Sequence, residues 1–72
     1  MQSILPGVYR HYKGNRYQVL YLAKHSETLE DMVVYQALYG EYGIWVCPAS
    51  MWNETVDYQG KQVKRFTYIE TK

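Results

Sequence analysis

The chain has 72 residues, with eight basic and seven acidic side chains and a net charge of +1. Nucleic-acid binding is driven largely by the neutralisation of phosphates, so this balance gives that function little global support. The one cysteine, Cys47, cannot close an intrachain disulfide, and its separations from His11 and His25 match no zinc pattern. We therefore expect no disulfide, no metal and no other cofactor.

Turn signals at short intervals predict β-strands rather than helices. The segments between the turns are rich in valine, isoleucine, tyrosine and threonine, which suit a half-buried pleated surface. The predicted strands, in chain order, are 8–12, 17–23, 32–39, 44–47, 55–58 and 63–69. In the second of them, alternation places Tyr17, Val19, Tyr21 and Ala23 on one face.

The exception is the segment 49–54, which follows Pro48. Because proline fixes φ, it suits the start of one tight helical turn, which we expect to be a 3-10 turn. The fold class is therefore predicted to be mainly β: one domain over residues 1–72, built as an SH3-like barrel of about five strands. Closure of the barrel would remove exposed edge strands. A partly open OB-like barrel and an α+β roll are less favoured.

Aromatic side chains are expected to fill the core of so small a domain. A chain of this length buries only about 60% of its unfolded surface, and each large aromatic ring buries about 150–250 Å². The sequence supplies nine tyrosines, two tryptophans and one phenylalanine. Trp45, between Ile44 and Val46, is predicted to be a core residue, whereas Trp52 is predicted to be a partly exposed ring.

The segment His25-Ser26-Glu27-Thr28 is the nearest approach to a catalytic motif. A catalytic triad needs the base within hydrogen-bond reach of the nucleophile, but adjacent side chains of an extended segment point in opposite directions. The alternative is a connecting loop in which serine and threonine hydroxyls bond local backbone N–H groups. We favour the loop, which can also contribute to ligand binding, and we identify no catalytic residue.

Cys47 is interpreted as a small, buried apolar side chain rather than a reactive thiol, since a reactive thiol requires a nearby cation or helix N-terminus to lower its pKa. The N-terminal MQSILPG has no positive region and no long apolar run, so we expect no secretory signal. No stretch approaches the roughly 18 apolar residues of a membrane span. We expect a cytoplasmic protein that does not enter a membrane.

Several segments of the sequence resemble those of a known family. The stretch GVYRHYKGNRYQVLYLAKHSETLEDMVVYQALYG, followed by Trp45-Val46, Pro48, Met51 and Arg65-Phe66, is similar to a bacterial family of small proteins named domain of unknown function 1653. The resemblance extends from Gly7 to about Ile69. It implies an SH3-like barrel, and it implies no established activity, cofactor or substrate.

Two positions depart from the pattern of that family. The resemblance implies an arginine where this chain has Cys47, and often a phenylalanine where it has Trp52. A position that accepts arginine in relatives is a poor place for a catalytic thiol or a metal ligand. If the arginine contacts an anionic ligand in relatives, that contact is lost here, and the ligand can differ.

Three hypotheses for function follow. The first is a non-enzymatic binding module that recognises a small molecule or an extended peptide near the His25 loop; its expected ligand-binding residues are His25, Ser26, Glu27, Tyr35, Trp52 and Arg65. The alternative is nucleic-acid binding through Arg10, Lys13, Arg16, Lys64 and Arg65. The third, an enzyme built on His25, Ser26 and Glu54, requires a strongly shifted pKa in a cleft. The oligomeric state is left open.

Overall fold

The computed structural model describes residues 4–70. Short strands follow one another along the chain, interrupted by one helical turn. The elements are β1 (Gly7–His11), β2 (Arg16–Lys24), β3 (Asp31–Ala37), β4 (Ile44–Pro48), α1 (Ala49–Trp52), β5 (Thr55–Tyr58), β6 (Lys61–Lys64) and β7 (Phe66–Glu70). The mainly β class is confirmed, and the turns lie where glycine-containing sequences predicted them.

The strands form two antiparallel sheets. Five of them are ordered β4-β3-β2-β1-β7, and β5 pairs with β6 as a separate hairpin. The final strand therefore returns to pair with the first, which brings His11 opposite Phe66. Within residues 4–70 the larger sheet ends at β4 and β7, so the predicted closed barrel is wrong.

Residues 4–70 form seven strands, one more than the six predicted segments and two more than a barrel of about five, and the additional strand arises because the last predicted segment breaks at Arg65. The segment 63–69 was expected to be one strand, but Val63 pairs with Val56 in the hairpin whereas Phe66 pairs with His11 in the larger sheet. Arg65 lies between β6 and β7 and belongs to neither. The division places this arginine at the junction of the two sheets.

A β-bulge in β2 changes which side chains face the core. Val19 is opposite Tyr35, but Tyr21 is opposite Val34, so one extra residue lies between them. Tyr21 is consequently turned to the other face and is 69% exposed, whereas Val19 is 2% exposed. The predicted common face of Tyr17, Val19, Tyr21 and Ala23 therefore holds only for the first two.

The helix α1 begins directly after Pro48, as predicted, but it is an α-turn. The Asn53 N–H donates to the Ala49 carbonyl at 3.1 Å, a spacing of four residues, and only the next bond, from Glu54 N–H to the Met51 carbonyl at 3.3 Å, spans three. The expected 3-10 turn is therefore confined to the end of the element. The α-turn directs Trp52 toward the sheet.

The core is small and aromatic. Its buried members are Ile4, Tyr9, Val19, Val33 and Trp52, and partly buried residues pack around them: Tyr17, Tyr35, Cys47, Ala49 and Phe66. The Tyr9 ring meets Trp52 edge to face with centroids 5.3 Å apart. Aromatic rings therefore supply much of the buried apolar surface, as the composition predicted.

The two tryptophans have the opposite of their predicted environments. Trp45, expected in the core, is 59% exposed, and Trp52, expected to be partly exposed, is 2% exposed. Trp45 lies on β4, an edge strand that has a neighbour on one side only. Trp52 lies on the helix that covers the sheet. Burial here follows the position of the element and not the apolar character of the neighbouring residues.

Candidate functional site

Seven side chains surround a cavity of about 180 Å³ beside the core, which we call the aromatic pocket. The lining residues are His11, Tyr17, Tyr35, Cys47, Met51, Arg65 and Phe66. Strands β1, β2, β3, β4 and β7 each contribute one of them, α1 contributes Met51, and the β6–β7 junction contributes Arg65. The pocket thus depends on the pairing of the last strand with the first.

The rings of the aromatic pocket support one another. Tyr17 meets Tyr35 with centroids 5.5 Å apart at 78°, and it meets Phe66 at 5.7 Å and 82°. These edge-to-face arrangements are the favoured geometry for aromatic pairs. Beneath them, Trp52 stacks on Phe66 with centroids 3.7 Å apart and planes 6° from parallel. Trp52 therefore supports the floor of the pocket and is not one of its walls.

Arg65 is the cation of the aromatic pocket. Its Nη2 donates to Glu54 Oε1 at 2.8 Å, and the two side chains are 28% and 50% exposed. A pair this exposed contributes about 0–1 kcal/mol to stability. Its Nε is shielded from solvent and has no hydrogen-bond partner among the described residues. The backbone is held separately, since Arg65 N–H donates to the Glu54 carbonyl at 2.9 Å.

Burial disfavours the charged forms of the other titratable groups that line the aromatic pocket, and it shifts their pKa values accordingly. Burial, together with the nearby charges of Arg65 and Lys13, lowers the pKa of His11 below its usual 6.5. Burial and a 2.6 Å hydrogen bond to the Tyr39 hydroxyl raise the pKa of Tyr17 to about 12. Burial also raises the pKa of the Cys47 thiol, and the charge of Arg65 offsets part of that effect. Cys47 is thus disfavoured as a nucleophile.

The His25 loop forms its own network of hydrogen bonds. His25 Nδ1 accepts the N–H groups of Glu27 at 3.1 Å and Thr28 at 3.4 Å. The Thr28 hydroxyl accepts the N–H of Glu30 at 3.2 Å, which confirms the predicted use of a hydroxyl to bond the local backbone. Because His25 Nδ1 accepts these backbone N–H groups, it stabilises the turn and is not free to act as a base for Ser26.

The structure brings together only some of the expected ligand-binding residues. Tyr35 and Arg65 line the aromatic pocket, and Trp52 lies beneath it. His25, Ser26 and Glu27 lie in the loop and line neither of the two cavities described here. His11, Tyr17, Met51 and Phe66 were not among the expected ligand-binding residues. Long-range strand pairing brings His11, Tyr17 and Phe66 together, and α1 adds Met51. The signals in the sequence were their aromatic or sulfur-containing character and their place in the segments that carry the family resemblance.

A second cavity, of about 400 Å³, lies between the larger sheet and the β5–β6 hairpin. We call it the basic cleft. It is lined by Arg10, Tyr12, Lys13, Gly14, Tyr58, Val63, Lys64 and Thr67. Of the five cations in the nucleic-acid hypothesis, Arg10, Lys13 and Lys64 meet here, Arg16 is opposite Arg10 in register, and Arg65 lies in the aromatic pocket.

Across residues 4–70, His, Cys, Asp and Glu side chains form no group of three or more that is placed to hold a metal ion. Over the same range no helix has the length and apolar character needed to cross a membrane.

The fold and the two cavities define a small, mainly β domain whose concave surfaces are candidate ligand-binding sites. A family profile described as "Protein of unknown function (DUF1653)" matches residues 7–68. A crystal structure of a DUF1653 protein from Bordetella bronchiseptica is 45% identical, covering 99% of this chain and 94% of that one, with a TM-score of 0.88. This chain therefore belongs to the DUF1653 family. No curated protein matches it.

Proposed function

We propose that this protein is a non-enzymatic, cytoplasmic binding module, and that the aromatic pocket recognises a small planar group that carries a hydrogen-bond acceptor. The observation that carries the proposal is the arrangement of Arg65 among the rings of Tyr17, Tyr35 and Phe66. Binding sites commonly combine apolar walls with a few polar groups that orient the ligand. Here the rings provide the walls, and the guanidinium of Arg65 provides the donor.

The size of the aromatic pocket limits its ligand. Sites for drug-sized molecules span about 300–1,000 Å³, so a cavity of about 180 Å³ suits a single ring. That ring belongs either to a small molecule or to one side chain of an extended peptide. The sequence-based proposal of a small molecule or peptide is retained, but its site moves from the His25 loop to the pocket with Tyr35 and Arg65.

The order of the strands supports an SH3-like assignment within the proposal. The last strand pairs with the first, and the helix α1 precedes its return, as expected for a five-stranded sheet that curls toward a barrel. The β5–β6 hairpin is then an insertion before the last strand. Domains of this type bind extended segments in grooves with aromatic walls. The half-buried free thiol of Cys47 is in keeping with a reducing compartment.

Titration with benzoate, followed by ¹H–¹⁵N correlation spectra, tests the proposal. We expect shifts confined to amides of the aromatic pocket, including Tyr35, Arg65 and Phe66. Benzylamine, which has the same ring but a cationic group, should bind more weakly because its ammonium group cannot accept a hydrogen bond from Arg65. Arg65→Met should weaken benzoate binding about tenfold or more, since a hydrogen bond to a charged group contributes about 1.5–3 kcal/mol.

Arg16→Met is the matched control, because it removes the same side-chain charge at an exposed residue that does not line the aromatic pocket. It should leave the affinity for benzoate unchanged. If benzoate and benzylamine bind equally, or if Arg65→Met and Arg16→Met have equal effects, the assignment of the pocket is wrong.

A further inference from the structure

We propose that the basic cleft binds single-stranded nucleic acid, with its cations on the phosphates and an exposed tyrosine against a base. This site is distinct from the aromatic pocket, and none of the described residues lines both. The two proposals therefore stand or fall separately.

Three cations converge on the basic cleft, and no carboxylate of residues 4–70 lines it. Arg10 comes from β1, Lys13 from the β1–β2 turn and Lys64 from β6. The ion pairs found among residues 4–70 are Lys24 with Asp31 and Arg65 with Glu54. Arg10, Lys13 and Lys64 are thus exposed and not engaged in an ion pair within that range. Such groups are available to neutralise phosphates.

Strand pairing adds a fourth cation beside the cleft. Arg10 on β1 is directly opposite Arg16 on β2, and Thr67 on β7 is opposite Arg10 on the other side. Side chains at such positions have Cβ atoms about 4.5–5.5 Å apart, and like charges there are destabilising. An anion bound between the two guanidinium groups would relieve this repulsion. A bound phosphate would therefore offset the repulsion between Arg10 and Arg16.

Two tyrosines accompany the cations. The rings of Tyr12 and Tyr58 meet edge to face with centroids 5.1 Å apart, and Lys13 Nζ is 5.9 Å from the centroid of Tyr12. Tyr58 is 37% exposed at the rim of the cleft. Proteins that bind single strands combine a positive groove with aromatic rings on which bases stack. A volume of about 400 Å³ suits an unstacked nucleotide better than a rigid duplex.

The net charge of +1 conceals an uneven distribution. Glu27, Glu30 and Asp31 lie at the far end of the β2–β3 hairpin. Arg16 and Lys24 begin and end β2, and at about 3.3 Å per residue they are roughly 26 Å apart. Asp57 and Glu70 lie on neighbouring strands but do not line the cleft. Glu41, in the β3–β4 turn, lies at the same end of the sheet as Arg16 but does not line the cleft. The excess of positive charge is therefore local to the lining of the cleft, and the overall charge does not indicate it.

Fluorescence anisotropy with a labelled 12-residue oligothymidylate tests this site. With three phosphate contacts, the slope of log affinity against log salt for a single strand should be about −2. Affinity should then fall about 20-fold between 50 and 200 mM salt. Lys64→Ala should reduce the magnitude of the slope by about 0.7. Tyr58→Leu should weaken binding at least about fivefold, with little change in the slope, because stacking does not release counterions.

Lys24→Ala is the matched control, because it removes the same charge at the other end of β2. It should leave both the affinity and the slope unchanged, and circular dichroism checks that each variant is folded. The proposal is overturned if the oligonucleotide does not bind, or if Lys24→Ala and Lys64→Ala weaken binding equally. Tighter binding of a 12-base-pair duplex would overturn the single-strand assignment. Equal affinity for adenosine monophosphate would identify a mononucleotide site instead.

Discussion

Trp52 and Phe66 stack face to face, with ring centroids 3.7 Å apart and planes 6° from parallel. The contact joins the helix α1 to the last strand of the larger sheet. It also forms the floor of the aromatic pocket, because Phe66 lines that pocket and Trp52 supports it from the core side. Folding of the helix and formation of the candidate site therefore depend on the same pair of rings.

Trp52→Ala should remove most of the stability of the domain, so that a large fraction of the chain is unfolded at 25 °C. Loss of a buried tryptophan costs about 3–5 kcal/mol, and a single core of this size supplies only about 3–5 kcal/mol of net stability. Urea titration monitored by circular dichroism measures the change. The 2% exposure of Trp52 indicates that the full cost applies.

Trp45→Ala is the matched control for this substitution. Trp45 is 59% exposed, so its truncation should cost about 1 kcal/mol or less. Equal destabilisation by the two substitutions would contradict the assignment of Trp52 to the core. In the intact protein, tryptophan fluorescence should show one ring in water and one in an apolar environment.

Gly7→Ala should weaken the pairing of β1 with β7. Gly7 has a φ of +148°, and a Cβ atom there would lie 2.7 Å from the Glu70 carbonyl oxygen and 2.9 Å from Tyr68 Cε1. Backbone strain alone costs about 1–3 kcal/mol, and the clash with backbone adds to it. The measurement is the free energy of unfolding from urea titration.

Gly14→Ala separates the clash from the strain. Gly14 also has a positive φ, +108°, but a Cβ atom there would meet nothing within 4 Å. It should therefore be less destabilising than Gly7→Ala. If the two substitutions cost the same, the close approach of β7 to Gly7 is not a constraint on the fold.

The local features of this fold were predictable from the sequence, and the long-range ones were not. Glycine-containing turns located the hairpins, since such turns are encoded by adjacent residues. The bulge between Val19 and Tyr21 and the break at Arg65 depend on which strands pair. Neither leaves a signal in the alternation of apolar residues. The exposure of Trp45 likewise follows from the order of the strands, which places β4 at the edge of the sheet. The sequence Ile44-Trp45-Val46 does not indicate this position.

The candidate site was predictable only in part, for the same reason. Tyr35 and Arg65 were selected for their chemistry, and both line the aromatic pocket. His11 reaches that pocket because β1 pairs with β7. His25 does not share that pocket with Tyr35, and a part for His25 in ligand binding stays a prediction. Residues adjacent in sequence were easily grouped, whereas residues brought together by strand pairing were not.

The stability of the protein should fall as pH rises from about 10 to about 12. In the folded state burial and the hydrogen bond to Tyr39 raise the pKa of Tyr17 to about 12, against a usual value of 10.0. The unfolded chain therefore loses this proton first, and the folded state, which retains it, becomes less favoured as pH increases through that window. Tyr17→Phe should make the decline shallower, as measured by urea titration at several pH values.

Tyr39→Phe distinguishes the hydrogen bond from burial. It removes the 2.6 Å contact between the two hydroxyl groups but leaves Tyr17 among the same rings. The pKa of Tyr17 should fall toward its usual value, which absorbance at 295 nm detects as an earlier ionisation. An unchanged titration would show that the Tyr39 hydroxyl has no part in the shift.

Cys47 should react slowly with thiol reagents in the folded protein at pH 8. Burial raises the pKa of the thiol, so less of the reactive thiolate is present than in the unfolded chain. Since the charge of Arg65 offsets part of this effect, Arg65→Met should slow the reaction further. The rate with a disulfide reagent, compared with the rate in urea, tests both expectations. Because Cys47 lines the aromatic pocket, saturating benzoate should slow the reaction as well, whereas an oligonucleotide bound in the basic cleft should not.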